Sequence, residues 1–185
     1  KINRKKLGLE EDNFYIIGVG RLVKRKGFDF FIKSIAEIKD ERVHGLIIGN
    51  GPEKENLLNL VKEFGIQNRI HLLGQVTEEK KFQYLDNSDL YFLSSIHEGF
   101  GIVLQEAMQV GLPIISTDNG GQTDFVKNGE NGYLIKFGNV NNFIECFDKL
   151  TQNIKLKKGI SLFNKKEVKK FEAKNICKNY IGVLK

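Results

Sequence analysis

Two glutamates stand eight positions apart in an otherwise apolar and glycine-containing stretch. Glu98 precedes a Gly-Phe-Gly sequence at positions 99–101, and Glu106 is the only charged residue at positions 99–117. A carboxylate on an apolar helix face is costly unless it is paired or hydrogen-bonded. Because carboxylate oxygens accept hydrogen bonds from the hydroxyls of ribose or of a sugar, both residues are candidates for binding a polyol. An exposed helix edge or a structural ion pair for Glu106, and a helix N-terminal cap for Glu98, are the alternative interpretations.

Basic residues occupy a loop near the start of the chain, at positions 20–27. Arg21 and Lys26 are candidates for binding phosphate, since Arg binds its oxygens as a flat fork and Lys binds them as a point charge. Glycine-rich turns at positions 49–51 and 119–121 permit close approach of the backbone. Together these features predict a site for a phosphate flanked by polyols. A solvated loop is the alternative interpretation of the basic triplet at positions 24–26.

Several other chemistries lack the residues that they need. No Walker-type phosphate-binding sequence occurs, and the Gly-x-Gly at positions 18–20 lacks the third glycine of a dinucleotide fingerprint. No Asp-x-Asp pair is present for a metal-bridged diphosphate, and the three histidines show no metal-ligand spacing. His71, inside a predicted strand, is interpreted as a structural histidine. Cys146 and Cys177 are isolated thiols, which is typical of a reducing, cytosolic setting.

The elements that must position these residues alternate along the chain. Short apolar segments predict six strands, at positions 14–20, 46–48, 70–73, 90–93, 113–117 and 133–135. Helical spacing is found at positions 28–38, between Pro52 and Gly65, at 78–86 after a capping Thr77, after Glu98 as far as Gly111, briefly through Phe125 and Val126, and at 140–150. This alternation predicts an α/β fold, a Rossmann-like three-layer α/β/α domain with a six-stranded parallel sheet. Ligands of such sheets bind beyond the carboxyl ends of the strands, where the candidate residues fall.

The motifs, taken in order, resemble the C-terminal, donor-binding domain of family 4 (group 1) glycosyltransferases of the two-domain GT-B fold. Four sequences carry the resemblance: Gly20-Arg21-Leu22-Val23…Lys26-Gly27, Gly49-Asn50-Gly51-Pro52, Glu98-Gly99-Phe100-Gly101…Glu106, and Gly111-Leu112-Pro113…Gly120-Gly121. They are similar to the family's G-R-L-x-x-x-K-G loop, its G-x-G-P turn, its E-x7-E motif and its G-x-P…G-G segment. The family usually has Pro and Glu where this chain has Lys24 and Arg25.

The resemblance implies a role for each matching residue. Arg21 and Lys26 would hold the donor diphosphate. Glu98 would be the catalytic residue that contacts the transferred hexose, and Glu106 would bind the nucleotide ribose. The other implied donor-binding residues are the turn glycine Gly51, the base-proximal Ile70, and the backbone groups of Gly99, Phe100, Gly101 and Ile102.

The resemblance also implies an activity and a missing domain. The family transfers a hexose-type sugar from a nucleoside diphosphate sugar with retention of anomeric configuration, without a metal ion or a cofactor, in the synthesis of glycans, polysaccharides or glycolipids. An N-terminal domain supplies the acceptor site and part of the cleft. We therefore expect residues 1–185 to form the donor domain alone, with 151–185 as a basic helical tail, and we expect the isolated domain to be inactive.

The net charge of +6 is distributed unevenly. Residues 1–148 contain 18 Lys and Arg against 21 Asp and Glu, whereas residues 149–185 contain 11 Lys against 2 Glu. A solvated helix face is one explanation of the basic tail, and contact with an anionic membrane is the other. No apolar run approaches the ~18 residues that span a bilayer. We expect a cytoplasmic protein, with peripheral contact at the inner face of the membrane if the tail binds lipid. Nucleic acid is the least favoured partner, because it requires basic residues and stacking aromatics along one groove.

Two other functions remain open at this point. A nucleotide-sugar epimerase of the same two-domain architecture would not need the glutamate pair, so Glu98 and Glu106 favour the transferase. A nucleotide-binding module without catalysis would lack an upstream domain of similar size.

Overall fold

A parallel sheet of six strands forms the middle layer of the protein. In the computed structural model, which describes residues 4–99 and 101–171, the strands are β1 (Phe14–Val19), β2 (Val43–Ile48), β3 (Ile70–Gly74), β4 (Leu90–Leu93), β5 (Ile114–Thr117) and β6 (Gly132–Ile135). They lie in the order β3-β2-β1-β4-β5-β6, and every neighbouring pair is parallel. All six predicted strands and the predicted fold class are confirmed.

Helices connect the strands and cover both faces of the sheet. They are α1 (Phe28–Ala36), α2 (Lys54–Glu63), α3 (Glu78–Asn87), α4 (Ile102–Val110), α5 (Val140–Gln152) and α6 (Ile154–Glu167). Short 3-10 turns occupy Arg4–Leu7, Lys24–Lys26, Gly121–Asp124 and Val168–Phe171. One core lies beneath α1, α2 and α5, and the other lies beneath α3 and α4. Because both faces are covered, successive strand residues such as Ile16 and Ile17 are buried in opposite cores.

The order of the strands places a switch point between β1 and β4. The chain builds outward from β1 to β3 on one side, and then returns to β4 and builds outward to β6 on the other. The loops after β1 and β4 therefore leave the sheet side by side at its carboxyl edge. This is the place where ligands of open parallel sheets bind.

Asp89, at the amino edge of the sheet, anchors two distant parts of the chain. Its Oδ2 atom accepts hydrogen bonds from Arg4 at 2.8 Å and from the Tyr15 amide at 3.0 Å. Its Oδ1 atom accepts one from Lys157 of α6 at 3.1 Å. The N-terminal turn and α6 are thus held at the edge opposite to the switch point.

Three predicted boundaries differ from the structure or fall beyond it. Pro52 precedes α2 by two residues, because the Glu53 amide donates to the Leu22 carbonyl and ties this turn to the β1 loop. The helix predicted through Phe125 and Val126 is instead the 3-10 turn that ends at Asp124. The part of the basic tail beyond residue 171, with its predicted helix, lies outside the described residues. Within the described part, no helix is long and apolar enough to cross a membrane.

His71 and His44 form a hydrogen-bonded pair across β3 and β2. His44 Nδ1 and His71 Nε2 are 3.1 Å apart, and the planes of the two rings are nearly parallel, with an angle of 5° between them. His44 Nε2 contacts the Asn13 side-chain nitrogen at 3.1 Å. Burial lowers the pKa of both imidazoles, and the charge of His71 lowers the pKa of His44 further. The interpretation of His71 as a structural histidine agrees with this bond.

The histidine pair predicts a loss of stability in mild acid. Each folded-state pKa lies below the ordinary value of 6.5, so the unfolded chain binds more protons than the folded one as the pH falls below that value. We expect the free energy of unfolding in urea to be full above pH 6.5 and to decrease as the pH falls below 6.5. His71→Gln should flatten this decrease, while His97→Gln, at an exposed position, should not. An equal decrease in all three proteins would contradict the assignment to the pair.

Candidate functional site

The loop after β4 is held in place by the loop after β5. The amide of Gly121 donates to the Glu98 carbonyl at 2.8 Å, and Glu98 and Gly120 form an isolated parallel bridge. The Asn119 side chain donates to the Ile96 carbonyl at 2.8 Å. These bonds extend the pairing of β4 and β5 beyond the sheet, so they fix the backbone from which the Glu98 side chain projects.

Glycines at this edge allow loops to pack backbone against backbone. A β-carbon on Gly121 would overlap with the carbonyl oxygen of Gly99, and one on Gly51 would overlap with that of Leu22. Gly27, with φ of 62°, faces the Ser94 carbonyl in the same way. The close approach predicted at the glycine-rich turns is therefore present. In this structure, the close approach is between the backbones of two loops.

Lys26 and Glu98 form an ion pair across the switch point. Lys26 Nζ is 2.5 Å from Glu98 Oε2, and each side chain is 13% exposed. The Ser95 hydroxyl lies 3.5 Å from the same oxygen. The pair joins the loop after β1 to the loop after β4. It brings the candidate phosphate-binding residue Lys26 together with the candidate sugar-binding residue Glu98.

The other basic residues of the β1 loop have different surroundings. Arg21 is exposed at the carboxyl edge. Arg25 donates from its guanidinium to the His97 carbonyl at 3.0 Å, and its own carbonyl accepts from the Ile96 amide at 2.8 Å. Arg25 therefore holds the loop that carries Glu98 in place. The sequence analysis missed this role, because both bonds are accepted by backbone carbonyl groups, which leave no signal in the sequence.

Glu106 is paired with a lysine on the neighbouring helix. Its Oε1 atom accepts a hydrogen bond from Lys81 of α3 at 2.7 Å, and Lys81 also contacts Glu78 at 2.7 Å. The ion pair considered as an alternative for Glu106 is thus present. It uses only one oxygen, however, because Glu106 Oε2 is buried and has no hydrogen-bond partner among the described residues.

Lys81 is a second site residue that the sequence analysis missed. A signal for it exists, because Lys81 precedes the buried Tyr84 and Leu85 by three and four residues and so shares their face of α3. A lysine on a buried face requires an acidic partner. Glu106 is the acidic residue on the apolar face of the adjacent helix. The sequence could therefore have predicted that Lys81 and Glu106 form a pair.

The start of α4 adds backbone groups to the same edge. Gly101 precedes the helix with φ of 60°, and Ile102, its first residue, is 62% exposed. The first N–H groups of a helix have no acceptor within it and carry partial positive charge. Gly99 is exposed beside them, whereas Phe100 lies outside the described residues.

Ile70 lies apart from the other candidates. It is the first residue of β3, four residues before the carboxyl end of that strand at Gly74, and it pairs with Gly45 of β2. Its side chain is 5% exposed in the core. Four residues of strand span about 13 Å, which is the distance from Ile70 to the carboxyl end of β3. Ile70 is therefore not included in the candidate site.

A cavity of about 640 Å³ opens at the opposite, amino edge of the sheet. Its apolar floor includes Phe14, Ile38 and Phe147, and its rim includes Asp12 and Asp148. It contains none of the candidate residues at the carboxyl edge. Its lining combines four acidic residues with two basic ones, Lys39 and Arg42, so acidic groups outnumber basic ones there.

The fold defines a class of enzyme. The Anabaena protein Alr3699/HepE, solved in complex with UDP, superposes with a TM-score of 0.88 at 24% identity over 98% of this chain and 50% of that one. The C-terminal domain of a group 1 family glycosyl transferase (LpcC) from Francisella tularensis superposes with a TM-score of 0.79 at 22% identity over 93% of each chain. This fold is the C-terminal half of a GT-B glycosyltransferase.

The family follows from the sequence as a whole. The model of glycosyl transferases group 1 matches residues 1–167, and the chain belongs to this family. The lipopolysaccharide core biosynthesis glycosyltransferase LpsE of Rhizobium meliloti is 30% identical over 84% of this chain and 45% of its own length. The 2-deoxystreptamine N-acetyl-D-glucosaminyltransferase of Niallia circulans is 30% identical over 91% and 44%. The chain thus spans about half the length of these curated relatives.

The contact between the loops that contain Gly99 and Gly121 predicts that alanine at these two positions has different effects on stability. Gly121→Ala should lower the free energy of unfolding by about 1–3 kcal/mol, because the new methyl group would overlap with the Gly99 carbonyl. Gly99→Ala is the matched control, since a β-carbon there would meet no atom within 4 Å. Urea unfolding of both variants measures the difference. Equal stabilities would show that the two loops are not in contact.

Proposed function

We propose that this chain is the donor-binding domain of a retaining glycosyltransferase and that it binds a nucleoside diphosphate sugar along the carboxyl edge of its sheet. The observation that carries this proposal is the contact between Lys26 and Glu98 at the switch point, with Arg21 in the same loop as Lys26 and Glu106 on the helix that follows Glu98. In the complete protein, an N-terminal domain would supply the acceptor and the second wall of the cleft. A hexose-type sugar would be transferred with retention of anomeric configuration.

Each part of the donor has a matching group in this proposal. Arg21 and Lys26 neutralise the diphosphate, so the step needs neither a metal ion nor a cofactor. The N–H groups at the start of α4 add to this positive field. Glu98 accepts hydrogen bonds from hydroxyls of the sugar, and Glu106 accepts them from the ribose.

The Lys26–Glu98 pair couples the two halves of the donor. Lys26 is already bound to Glu98 in the ligand-free protein, so a diphosphate must compete for its ammonium group. As Lys26 turns toward the phosphate, Glu98 regains a free oxygen that can accept a sugar hydroxyl. Binding of the diphosphate therefore prepares the carboxylate for the sugar.

The comparisons support the substrate class at a general level. The Anabaena protein with this fold was solved with UDP and also with UDP-glucose. The names of the relatives include lipopolysaccharide core biosynthesis and transfer of N-acetylglucosamine to a small aminocyclitol, so the acceptor varies within the family. We propose a role in glycan, polysaccharide or glycolipid synthesis in the cytoplasm, with the basic tail as the surface for any contact with the inner face of the membrane.

A panel of nucleotides tests the proposed function most simply. Thermal unfolding of the 185-residue chain is measured with UDP, GDP, ADP and their hexose conjugates. A ligand at a hundred times its dissociation constant should stabilise the fold by ~2.7 kcal/mol. We expect one base to be preferred. The absence of stabilisation by every member of the panel would contradict donor binding.

Replacement of Arg21 tests the assignment of the diphosphate site. Arg21→Ala should weaken the binding of the preferred nucleoside diphosphate at least tenfold, since a charge-assisted hydrogen bond contributes ~1.5–3 kcal/mol. The affinity for the nucleoside alone should not change. Lys24→Ala is the matched control, because Lys24 is an exposed cation in the same loop. Equal losses for both variants would indicate a general electrostatic effect instead of a phosphate contact.

Replacement of Glu98 separates the sugar from the diphosphate. Glu98→Gln removes the anion that competes for Lys26, so the affinity for free diphosphate should not decrease. The affinity for the nucleotide sugar should decrease, and transfer by the full-length protein should be abolished. The isolated chain should not transfer sugar even with Glu98 intact. Isothermal titration and a transfer assay measure these effects, and robust transfer by the isolated chain would refute the two-domain proposal.

A further inference from the structure

Helix α6 is fixed to the body of the protein along one face. The side chain of Asn164 is buried and donates a hydrogen bond to the Leu112 carbonyl at 2.7 Å. Ile160 is buried in the core, and Lys157 Nζ lies 3.1 Å from Asp89 Oδ1. These contacts determine which face of α6 points away from the protein.

The outward face of α6 is cationic. Among the α6 residues whose side chains the structure describes, the exposed ones are Lys155, Lys158, Gly159, Leu162, Lys165 and Lys166. We call these six residues the lysine face. At about 100° per residue of α-helix, they occupy an arc of about 120°, and Leu162 lies at its centre. The side chain at this centre is apolar and 73% exposed.

The chain supplies little negative charge to this face. Within residues 4–99 and 101–171, no carboxylate forms an ion pair with any of its four lysines. Glu167 is the only acidic residue of α6, and it is bound to Lys170 at 2.7 Å. Beyond residue 171 the sequence adds three lysines and one glutamate. The positive charge of the lysine face therefore attracts an anionic partner from outside the chain.

An anionic lipid surface matches the lysine face better than a nucleic acid does. Clusters of lysines on a helix are typical of surfaces that bind anionic headgroups. Lysine side chains can extend past an inserted apolar residue to reach these headgroups, so Leu162 can enter the bilayer interface between them. A single-stranded nucleic acid would stack its bases on aromatic side chains, which the lysine face lacks. The phosphate backbone of a duplex offers no apolar partner for Leu162.

The lysine face extends between the two edges of the sheet. Near the start of α6, Lys157 contacts Asp89 at the amino edge. Just after the end of α6, Val168 lines a groove together with Ile102, the first residue of α4. A membrane bound along the lysine face would therefore lie beside the carboxyl edge, where we propose that the donor binds.

We propose that the lysine face of α6 is a docking surface for an anionic lipid bilayer, in which its four lysines contact phosphate headgroups and Leu162 enters the interface between them. This inference rests on the membrane contact named in the proposed function, and it assigns that contact to one face of one helix.

Tryptophan fluorescence tests the contact directly, because the protein has no tryptophan of its own. Leu162→Trp is titrated with vesicles of phosphatidylcholine and with vesicles that also contain phosphatidylglycerol. Phe64→Trp is the matched control, since Phe64 is an exposed apolar residue at the end of α2. Vesicle sedimentation of the wild type and of variants without tryptophan measures affinity. The melting temperature of each protein is recorded with and without the nucleotide that binds best in the panel.

We expect the emission of Leu162→Trp to shift to shorter wavelength, and to be quenched by brominated lipid, only with the vesicles that contain phosphatidylglycerol. Phe64→Trp should show neither effect. Binding of the wild type should weaken as the ionic strength rises, because salt screens exposed charges.

Two further sets of variants separate the lysine face from net charge. Lys158→Gln/Lys166→Gln should weaken binding to anionic vesicles at least about tenfold. Lys54→Gln/Lys62→Gln removes the same charge from exposed positions of α2, and it should weaken binding less than about twofold. Leu162→Gln should weaken binding about fivefold, because the apolar contribution is lost.

Three results would overturn the inference: equal binding of the wild type to neutral and anionic vesicles, equal losses for the two double variants, or tighter binding to RNA or duplex DNA than to anionic vesicles. In each case stabilisation by the nucleotide is unaffected, so the proposed donor binding stands. If no nucleotide stabilises the protein while vesicle binding depends on the lysine face, donor binding fails and this inference holds.

Discussion

The ion pair between Lys26 and Glu98 is the contact on which the arrangement of the site depends. It joins the loops that follow β1 and β4, the two strands where the order of the sheet reverses. Both loops are also fixed from outside, since Gly51 and Gly121 of the neighbouring loops pack directly against the carbonyl groups of Leu22 and Gly99. A pair of opposite charges in a shielded position is costly to break unless a new partner takes the place of the old one. In the account proposed here, an anion such as a phosphate replaces Glu98 as the partner of Lys26.

The two lysine–glutamate pairs at this edge differ in how they respond to a ligand. Lys26 is shared, because it belongs to Glu98 in the free protein and to a diphosphate in the complex that we propose. Lys81 is bound to Oε1 of Glu106, and the other oxygen of that carboxylate is buried without a hydrogen-bond partner among the described residues. In this account, the sugar end of the donor is recognised only after the phosphates are bound.

The sequence predicted the fold well because short apolar segments and glycine-containing turns determine it locally. It also predicted Glu98, Glu106, Arg21 and Lys26 as donor-binding residues, since charged residues after buried strands are conspicuous, and these roles stay predictions. It did not predict their partners, because Lys81 and Glu106 are 25 residues apart and meet only when α3 packs against α4. Ile70 was placed near the ligand on resemblance alone, although it begins its strand. The use of Gly51 and Gly121 in contacts between loops requires the register of the sheet, which no local pattern contains.

A crystal structure of the chain with a nucleoside diphosphate tests the central claim most directly. The account predicts that the phosphates lie within hydrogen-bond distance of Arg21 and Lys26, that Lys26 has left Glu98, and that ribose hydroxyls donate to Glu106. A nucleotide bound elsewhere, for example in the cavity over Phe14 and Phe147 at the amino edge, with the Lys26–Glu98 pair intact, would contradict it.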